Sequence, residues 1–417
     1  MKCIRFPSRA ILVSILTLLV GATTVQLFGQ SGTWVPKTPM PTARFAAATA
    51  SVNGIIYVIG GDVSWFGCGA TGVNEAYNPA TDTWTTMAPM PTARWPYAAA
   101  VVNGVIYVVG GSEGCFPPSR VVEAYDPATN TWSTKAQFPD TGSGLGIVDS
   151  AVGVINGMLY VAGGSNGLNG GFPNLYVYDA AGDTWSAKTS MPDIRNGGAG
   201  AVANGAFYVV GGGDPAGLAT STFAYDPTSD TWSTKAPLPD PRGGLSAAVV
   251  GNIIYTMGGV DASGPVPVAT MESYDPATNA WTTLPSMPTG VLWPAAAAVN
   301  GTIYVMGGLL SQSSGAISAA NEAFTPANPL QVLVNALQTA ISGLSLNSQT
   351  KTLLLQFANN LPTTIAQLTT AQKTLLIRQL TALDSIVQGM VTGKRITAAQ
   401  GTQLITLIND FIAALRA

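Results

Sequence analysis

The stretch AAATASVNGIIYVIGG, residues 46–61, and the stretch EAYNPATDTWTTMAPMP, residues 75–91, together spell four short β-strands. The Asn53-Gly54 pair predicts a two-residue hairpin between the first two strands, because both residues tolerate the positive φ angles that match strand twist. EAYNP predicts a third strand and TWTTMAPMP a fourth. This unit therefore predicts one small antiparallel sheet.

The same unit recurs six times, with a Gly-Gly doublet closing each second strand and a tryptophan in each fourth strand. The step is about 50 residues, which is typical of propeller repeats. The doublets are Gly60-Gly61, Gly110-Gly111, Gly163-Gly164, Gly211-Gly212, Gly258-Gly259 and Gly307-Gly308, and the tryptophans are Trp34, Trp84, Trp132, Trp185, Trp232 and Trp281. Glycine lets neighbouring backbone approach closely, and the large aromatic residues fill the space between sheets. Six units predict six sheets.

The order of these signals predicts a closed ring. Trp34 precedes the first doublet, whereas the last doublet is followed by NEAFTP and no further tryptophan. The Trp34 strand must then complete the sixth sheet, which pairs the two ends of the repeat region and leaves no open edge.

These repeats resemble the Kelch family over roughly Trp34 to Pro326. The resemblance implies a mainly β fold: a six-bladed Kelch-type β-propeller over residues 31–327, closed by the N-terminal Trp34 strand. Kelch propellers serve as protein-binding scaffolds, as sugar-binding modules and occasionally as enzymes, so the resemblance alone does not identify the chemistry.

The N-terminal residues 1–30 are typical of an export signal. Lys2, Arg5 and Arg9 form a basic region, and Ala10 to Val20 is mostly apolar. We expect a signal peptide and a secreted or periplasmic protein with no membrane span in the mature chain, since no later stretch is long and apolar enough to cross a bilayer.

Residues 328–417 change to a helical period. Leu330, Val334 and Leu337 begin one apolar face, and Thr397 opens a capping box that precedes the last predicted helix. A small α-helical bundle is expected. The segment GKRITAAQGTQLITLINDFI resembles the helical module called FIMAH, which occurs in secreted bacterial proteins.

Composition argues against several functions. With 18 Lys and Arg residues and a net charge of −3, the chain lacks the basic face that nucleic acid requires. It contains no histidine, which removes the usual base of a Ser or Cys nucleophile and the commonest zinc or copper ligand. Triad hydrolysis and the galactose-oxidase-like chemistry of some Kelch propellers are excluded, and we expect no cofactor, no metal and no catalysis.

Strand alternation places all the long connections on one side of the ring, which we call the long-loop face. A repeated arginine lies there, at the third position after each blade-ending proline, although Gly142 and Val291 replace it in two units. The arginines are Arg44, Arg94, Arg195 and Arg242. In Kelch proteins that bind acidic partners, matching arginines line the central pocket, so the resemblance implies an anion site. The alternative is that they support the loops.

Three further residues are candidates for ligand binding. Asp149 lies in the longer third unit, and counting back from each doublet aligns it with small or apolar residues and with Trp293. It faces either the channel or backbone exposed by the insertion. Trp95 and Trp293 offer stacking faces to a sugar, or else pack between blades.

Two cysteines, Cys68 and Cys115, remain after removal of the expected signal peptide. Each follows a Gly-Gly doublet, in adjacent blades and on the long-loop face. In an oxidising compartment they predict a disulfide bond between neighbouring loops.

Together these features predict a non-catalytic binding or scaffold propeller that holds a carbohydrate or protein ligand on the long-loop face. Two alternatives stay open. One is a sugar-directed enzyme similar to the six-bladed periplasmic Kelch enzyme that interconverts sialic acid anomers, a mutarotase-like isomerase. The other is a purely structural component of the envelope or matrix.

Overall fold

A computed structural model describes residues 32–66, 69–96, 98–114, 117–142, 144–167, 171–214 and 216–327, together with isolated residues between 373 and 412. The expected signal peptide (1–30), the Cys68–Cys115 pair and most of the expected helical module lie outside the described residues. Contacts between Cα atoms group residues 31–326 into one compact unit.

The described repeat region forms six antiparallel sheets of four strands. We call them blades 1 to 6, in chain order. Blade 1 contains β2 (Ala48–Val52), β3 (Ile55–Ile59), β4 (Asn74–Asn78) and β5 (Thr83–Thr86); blade 2, β6 (Ala99–Val102), β7 (Val105–Val109), β8 (Val122–Asp126) and β9 (Thr131–Thr134); blade 3, β10 (Ala151–Ile155), β11 (Met158–Ala162), β12 (Leu175–Asp179) and β13 (Thr184–Lys188).

Blade 4 contains β14 (Ala199–Ala203), β15 (Ala206–Val210), β18 (Thr222–Asp226) and β19 (Thr231–Lys235); blade 5, β21 (Ser246–Val250), β22 (Ile253–Met257), β24 (Met271–Asp275) and β25 (Ala280–Thr283); blade 6, β26 (Ala295–Val299), β27 (Thr302–Met306), β28 (Asn321–Pro326) and β1 (Gly32–Lys37). Two small ribbons lie in the loops: β16 (Gly213–Asp214) with β17 (Gly217–Leu218), and β20 (Arg242–Gly243) with β23 (Val260–Asp261).

The ring closes as the sequence predicts. Strand β1 pairs with β28 in antiparallel register, and Trp34 lies opposite Phe324. The innermost strands β2, β6, β10, β14, β21 and β26 contact one another in this order, and β26 contacts β2 again. The six-bladed β-propeller is therefore confirmed.

The predicted hairpin turns are present. Asn53 and Gly54 have φ angles of 50° and 80°, as a type I′ turn requires. In blade 5, where the order is reversed, Gly251 has a positive φ of 63°, which fits a type II′ turn.

The repeated tryptophans fasten each blade to the one before it. In blade 2, Trp132 Nε1 donates to the carbonyl of Ala88 at 2.9 Å, and the Asn130 side chain accepts from the amide of Ala88 at 2.8 Å. Tyr125 donates its hydroxyl to the same Asn130 oxygen at 2.7 Å. The Asn130 side chain and the Trp132 indole thus satisfy both backbone polar groups of Ala88 in the neighbouring blade.

The doublets make the second contact between blades. The amide of Gly61 donates to the carbonyl of Arg94 in blade 2 at 3.0 Å. A Cβ atom on Gly60 would lie 2.5 Å from that same carbonyl oxygen, and the φ of Gly60 is +64°. Only glycine both adopts this φ angle readily and leaves room for the Arg94 carbonyl oxygen.

Described residues of the C-terminal segment are helical, and Leu376, Leu380, Ile408 and Ile412 among them are buried. Their spacing of four residues fits an apolar helix face. The bundle itself stays a prediction. Within the described part of the chain, no helix is both long and apolar enough to span a bilayer.

Candidate functional site

The repeated arginines lie inside the blades. Their relative exposures are 1% for Arg44, 0% for Arg94, 2% for Arg195 and 0% for Arg242. Three of them form ion pairs with a buried glutamate of the third strand in the same blade: Arg44 with Glu75, Arg94 with Glu123, and Arg242 with Glu272. Buried charges persist only when they are paired in this way.

Arg94 illustrates the arrangement. Its Nε donates to the carbonyl of Gly110 at 2.7 Å, and Nη1 donates to that of Thr92 at 2.9 Å and to the Glu123 carboxylate. Thr92 Oγ1 donates to the other Glu123 oxygen at 2.9 Å. Burial lowers the pKa of Arg94, and the Glu123 carboxylate opposes that shift. The guanidinium group thus joins the entering loop to two strands.

Blades 3 and 4 use other partners. In blade 3 the Gly111 amide donates to Ile147 at 2.8 Å, so Ile147 and not Gly142 occupies the arginine position. In blade 4, Arg195 lies 5.2 Å from the ring centroid of Phe223, and its Nη1 is 3.3 Å from Asp214. The insertion in the third unit therefore lies before this position, and the hydrogen bond from the doublet to the neighbouring loop is retained.

This geometry does not support the prediction that Arg44, Arg94, Arg195 and Arg242 form an anion pocket. A ligand on the long-loop face meets none of the four guanidinium groups, because each is at most 2% exposed and already holds protein acceptors. Their role is to support the loops, which is the alternative that the sequence left open.

Blade 6 keeps the glutamate but has no arginine. Val291 occupies the arginine position, and its carbonyl accepts from Gly259 at 2.8 Å as Arg94 accepts from Gly61. Glu322 is 8% exposed and accepts from Thr289 Oγ1 at 2.6 Å. Burial raises the pKa of Glu322, and the Thr289 hydrogen bonds oppose this only partly. Burial therefore favours the protonated form of Glu322 in the folded protein.

We expect Glu322→Gln to stabilise the protein by roughly 1 kcal/mol at neutral pH, because the amide keeps the acceptor for Thr289 and removes a buried charge. Since the folded-state pKa is raised, the stability of the parent protein falls as pH rises above the ordinary Glu pKa of about 4.3. The gain should therefore disappear at about pH 4. Urea denaturation at both pH values measures it.

Glu123→Gln is the matched control, because Arg94 pairs with that carboxylate and the same substitution there should destabilise. A Glu322→Gln variant that is less stable than the parent at neutral pH would contradict the assignment.

The channel mouth on the long-loop face is ringed by six equivalent residues, one before each innermost strand: Ala46, Pro96, Asp149, Gly197, Gly244 and Trp293. Five have φ angles between 49° and 66°, and proline cannot adopt such an angle. The amides of Ala46, Trp293, Gly244 and Gly197 each donate to the equivalent carbonyl of the preceding blade at 2.8–3.0 Å. We call this ring the mouth belt. It holds Asp149 and Trp293 on a hydrogen-bonded backbone.

Inside the mouth belt lies a cavity of about 170 Å³. Asp149, Trp293, Thr49, Ser150 and Ser246 supply its functional side chains, and most of the other lining residues are alanine, glycine, valine, leucine or proline. A second cavity of about 250 Å³ follows the channel between the innermost strands and is lined mainly by Ala, Val and Gly. The charged and aromatic side chains that line these cavities are therefore concentrated at the mouth.

The indole of Trp293 is fixed by other aromatic rings. It stacks on Phe45 with ring centroids 6.1 Å apart, and Trp65 lies 5.9 Å away. Its Nε1 is 2.9 Å from the position of a Cβ on Gly244. Because Phe45 belongs to the loop before blade 1 and Gly244 to the loop before blade 5, the indole covers that half of the mouth.

The structure separates the other aromatic candidate from this cavity. Trp95 precedes Pro96, packs against the cluster of Phe45 and Leu292, and donates Nε1 to the carbonyl of Gly114 at 3.1 Å. It lies on the same face as Trp293 but does not line the cavity.

Sequence reasoning missed two groups of residues. The glutamate partners were visible as the Glu that precedes each Ala-Tyr or Ser-Tyr pair in EAYNP, EAYDP and ESYDP, but their burial against arginine depends on blade packing. Thr49 lies three residues after Ala46, on the channel side of β2, and the alternation of β2 is the signal that identifies it.

Six four-stranded blades, the last closed by β1, define the class of six-bladed β-propellers. A family model described as "KLHDC2/KLHL20/DRC7 Kelch-repeats domain" matches residues 147–308, and one described as "Kelch motif" matches residues 43–91 and 94–139. The chain thus carries Kelch repeats through blades 1 to 6.

A search of curated proteins found no match. Among solved structures, one titled "Structure of YjhT" superposes with a TM-score of 0.59 at 19% identity, covering 69% of this chain and 97% of that chain. At this identity the likeness shows the propeller fold alone. Kelch propellers are commonly binding or scaffold domains, and the ligand must be argued from the mouth itself.

Proposed function

We propose that this propeller is a binding module that holds the end of a carbohydrate ligand in the mouth cavity. The observation that carries the proposal is the convergence of an indole face, a carboxylate and hydroxyl groups on one concave site. An indole packs against the apolar face of a sugar ring, while carboxylate and hydroxyl oxygens accept from sugar hydroxyls.

The size of the cavity supports recognition of an end group. At about 170 Å³, it is smaller than the roughly 300–1,000 Å³ of sites that enclose a whole drug-sized ligand. A single sugar residue or a substituent enters the mouth, and the rest of the ligand lies on the long loops.

The mouth belt supports binding with little reorganisation. Asp149 and Trp293 occupy left-handed backbone positions, and inter-blade hydrogen bonds join the carbonyls of both residues to neighbouring amides. A preorganised site loses less conformational entropy when the ligand binds.

The same lining argues for binding over catalysis. Among the described residues of the cavity, Asp149 is the one side chain with an ordinary acid–base function. Interconversion of sugar anomers needs both a proton donor and a proton acceptor, and the buried arginines add no site for an acidic sugar. A protein ligand on the exposed Phe66, which is 72% exposed, is the competing outcome.

A glycan array probed with the full-length chain tests the proposal. Trp293→Gly is the informative variant, because blades 4 and 5 carry glycine at this position and the backbone conformation is retained. We expect a specific carbohydrate signal that falls at least about tenfold in Trp293→Gly, the loss expected for an aromatic anchor.

Phe66→Ala is the matched control on the same face, and it should leave carbohydrate binding unchanged. The absence of any glycan signal, or a signal lost in Phe66→Ala and kept in Trp293→Gly, would overturn the proposal in favour of a protein ligand.

A further inference from the structure

The exposed apolar side chains of the propeller concentrate on the long-loop face. Within the described part of the chain, the large apolar side chains that are exposed are Val35, Val63, Phe66, Leu218 and Val266. All but Val35 lie in loops of this face, and Phe66 and Val266 project furthest, with relative exposures of 72% and 70%. Single exposed apolar residues need no explanation, whereas a continuous apolar patch indicates an interaction site.

Contacts between neighbouring loops make the patch continuous. Gln312 Nε2 in blade 6 donates to the carbonyl of Pro265 in blade 5 at 3.1 Å. On the other side, a Cβ atom on Gly315 would lie 2.8 Å from Phe66 Cε2, so the Phe66 ring of blade 1 packs against this glycine of blade 6. We call the three adjacent loops the apolar sector: residues 62–73 of blade 1, 260–270 of blade 5 and 309–320 of blade 6.

The exposed surface of the apolar sector is uncharged wherever the structure describes it. Its exposed residues are Val63, Phe66, Ala262, Ser263, Pro265, Val266, Ser313, Ser314 and Ala316. Of the two carboxylates in these loops, that of Asp62 is buried, and that of Asp261 accepts from the amide and the hydroxyl of Ser263. Exposed carboxylates lie elsewhere on the long-loop face, at Glu113, Asp140, Asp193 and Asp240.

We propose that the apolar sector is the interface of a two-fold homodimer, so that its occupant is a second copy of this chain. In such an interface the same patch meets itself. A patch without exposed charge does this without opposing like charges, whereas the acidic part of the face would repel its own copy.

Two features favour a second copy over other partners. A different protein gains orientation and specificity from complementary charges, which this sector does not offer, while two-fold symmetry fixes the orientation of a second copy. A lipid surface leaves the hydroxyl groups of Ser263, Ser313 and Ser314 without partners in hydrocarbon. A protein surface supplies hydrogen-bond partners across the interface.

Sedimentation velocity of the full-length chain over a range of concentrations tests the inference, and we expect a reversible monomer–dimer equilibrium. Phe66→Glu and Val266→Glu each place like charges in the interface and should raise the dimer dissociation constant at least about tenfold. Because both side chains are exposed in the monomer, the variants should fold, which circular dichroism checks.

Val35→Glu is the matched control. Val35 is 46% exposed in the outer strand β1, outside the apolar sector, and the substitution adds the same charge. It should leave the dimer dissociation constant unchanged and thereby exclude a general effect of added negative charge.

A chain that stays monomeric at every concentration, or a dimer that Phe66→Glu and Val266→Glu leave intact, would overturn the inference. A monomeric chain that binds phosphatidylcholine vesicles, with binding lost in both variants, would assign the sector to a lipid surface instead. The residues that line the mouth cavity lie outside the apolar sector, so either result leaves the proposed carbohydrate site untouched.

Discussion

Replacing Arg94 by methionine is expected to lower the free energy of unfolding by about 3–5 kcal/mol, the usual cost of removing one partner of a buried ion pair. Arg94 is fully buried, and its removal leaves the Glu123 carboxylate without its cation. The carbonyls of Gly110 and Thr92 lose their donors as well. Urea denaturation followed by tryptophan fluorescence measures the loss.

The double variant Arg94→Met/Glu123→Gln is the control, because it removes both charges together. It should recover a large part of the lost stability, since a buried pair contributes little relative to neutral groups of similar shape. A single variant within about 1 kcal/mol of the parent, or a double variant less stable than the single, would refute a structural role for Arg94. If Arg94→Met leaves the stability unchanged but abolishes anion binding, Arg94 belongs to a ligand site.

The second large effect is expected at the first glycine of the doublet. Gly60→Ala should destabilise the protein by about 3 kcal/mol or more, because it combines left-handed backbone with a steric clash. The left-handed conformation alone costs an L-residue roughly 1–2 kcal/mol. In addition the new Cβ would lie 2.5 Å from the carbonyl oxygen of Arg94, so blades 1 and 2 must separate locally. Thermal and urea denaturation both report the loss.

Gly54→Ala separates these two causes. Gly54 has a φ of +80° and nothing within 4 Å of the Cβ position, so only the backbone cost of roughly 1–2 kcal/mol applies. Equal losses at Gly54 and Gly60 would show that close packing of blades makes no contribution at the doublet.

The propeller could be predicted from the sequence because each blade has its own local signals. Asn53-Gly54 specifies a turn through backbone sterics, and the Gly60-Gly61 doublet specifies a close approach. The position of Trp34 before the first doublet predicted the closure with β28, which the register of Trp34 and Phe324 confirms. Counting back from the doublets also aligned Asp149 with Trp293, and the mouth belt shows that the two are equivalent.

The roles of the arginines could not be predicted in the same way. A repeated arginine near a channel is compatible with a ligand site or with a buried ion pair, and the two differ only in where the long side chain turns. Arg44 turns toward Glu75, which lies 31 residues away in the chain, and their charged atoms are 2.6 Å apart. In blade 3 the insertion also hid the fact that Ile147 occupies the position of the repeated arginine.

The number of blades, the strand order, the turns and the closure of the ring could all be predicted from the amino-acid sequence, because these depend on residues close together in the chain or on a regularly recurring repeat. Which polar groups are buried and which face the channel could not be predicted in this way. That choice depends on contacts between blades, through which Arg94 becomes part of the protein interior while Asp149 and Trp293, from opposite sides of the ring, come to line one cavity.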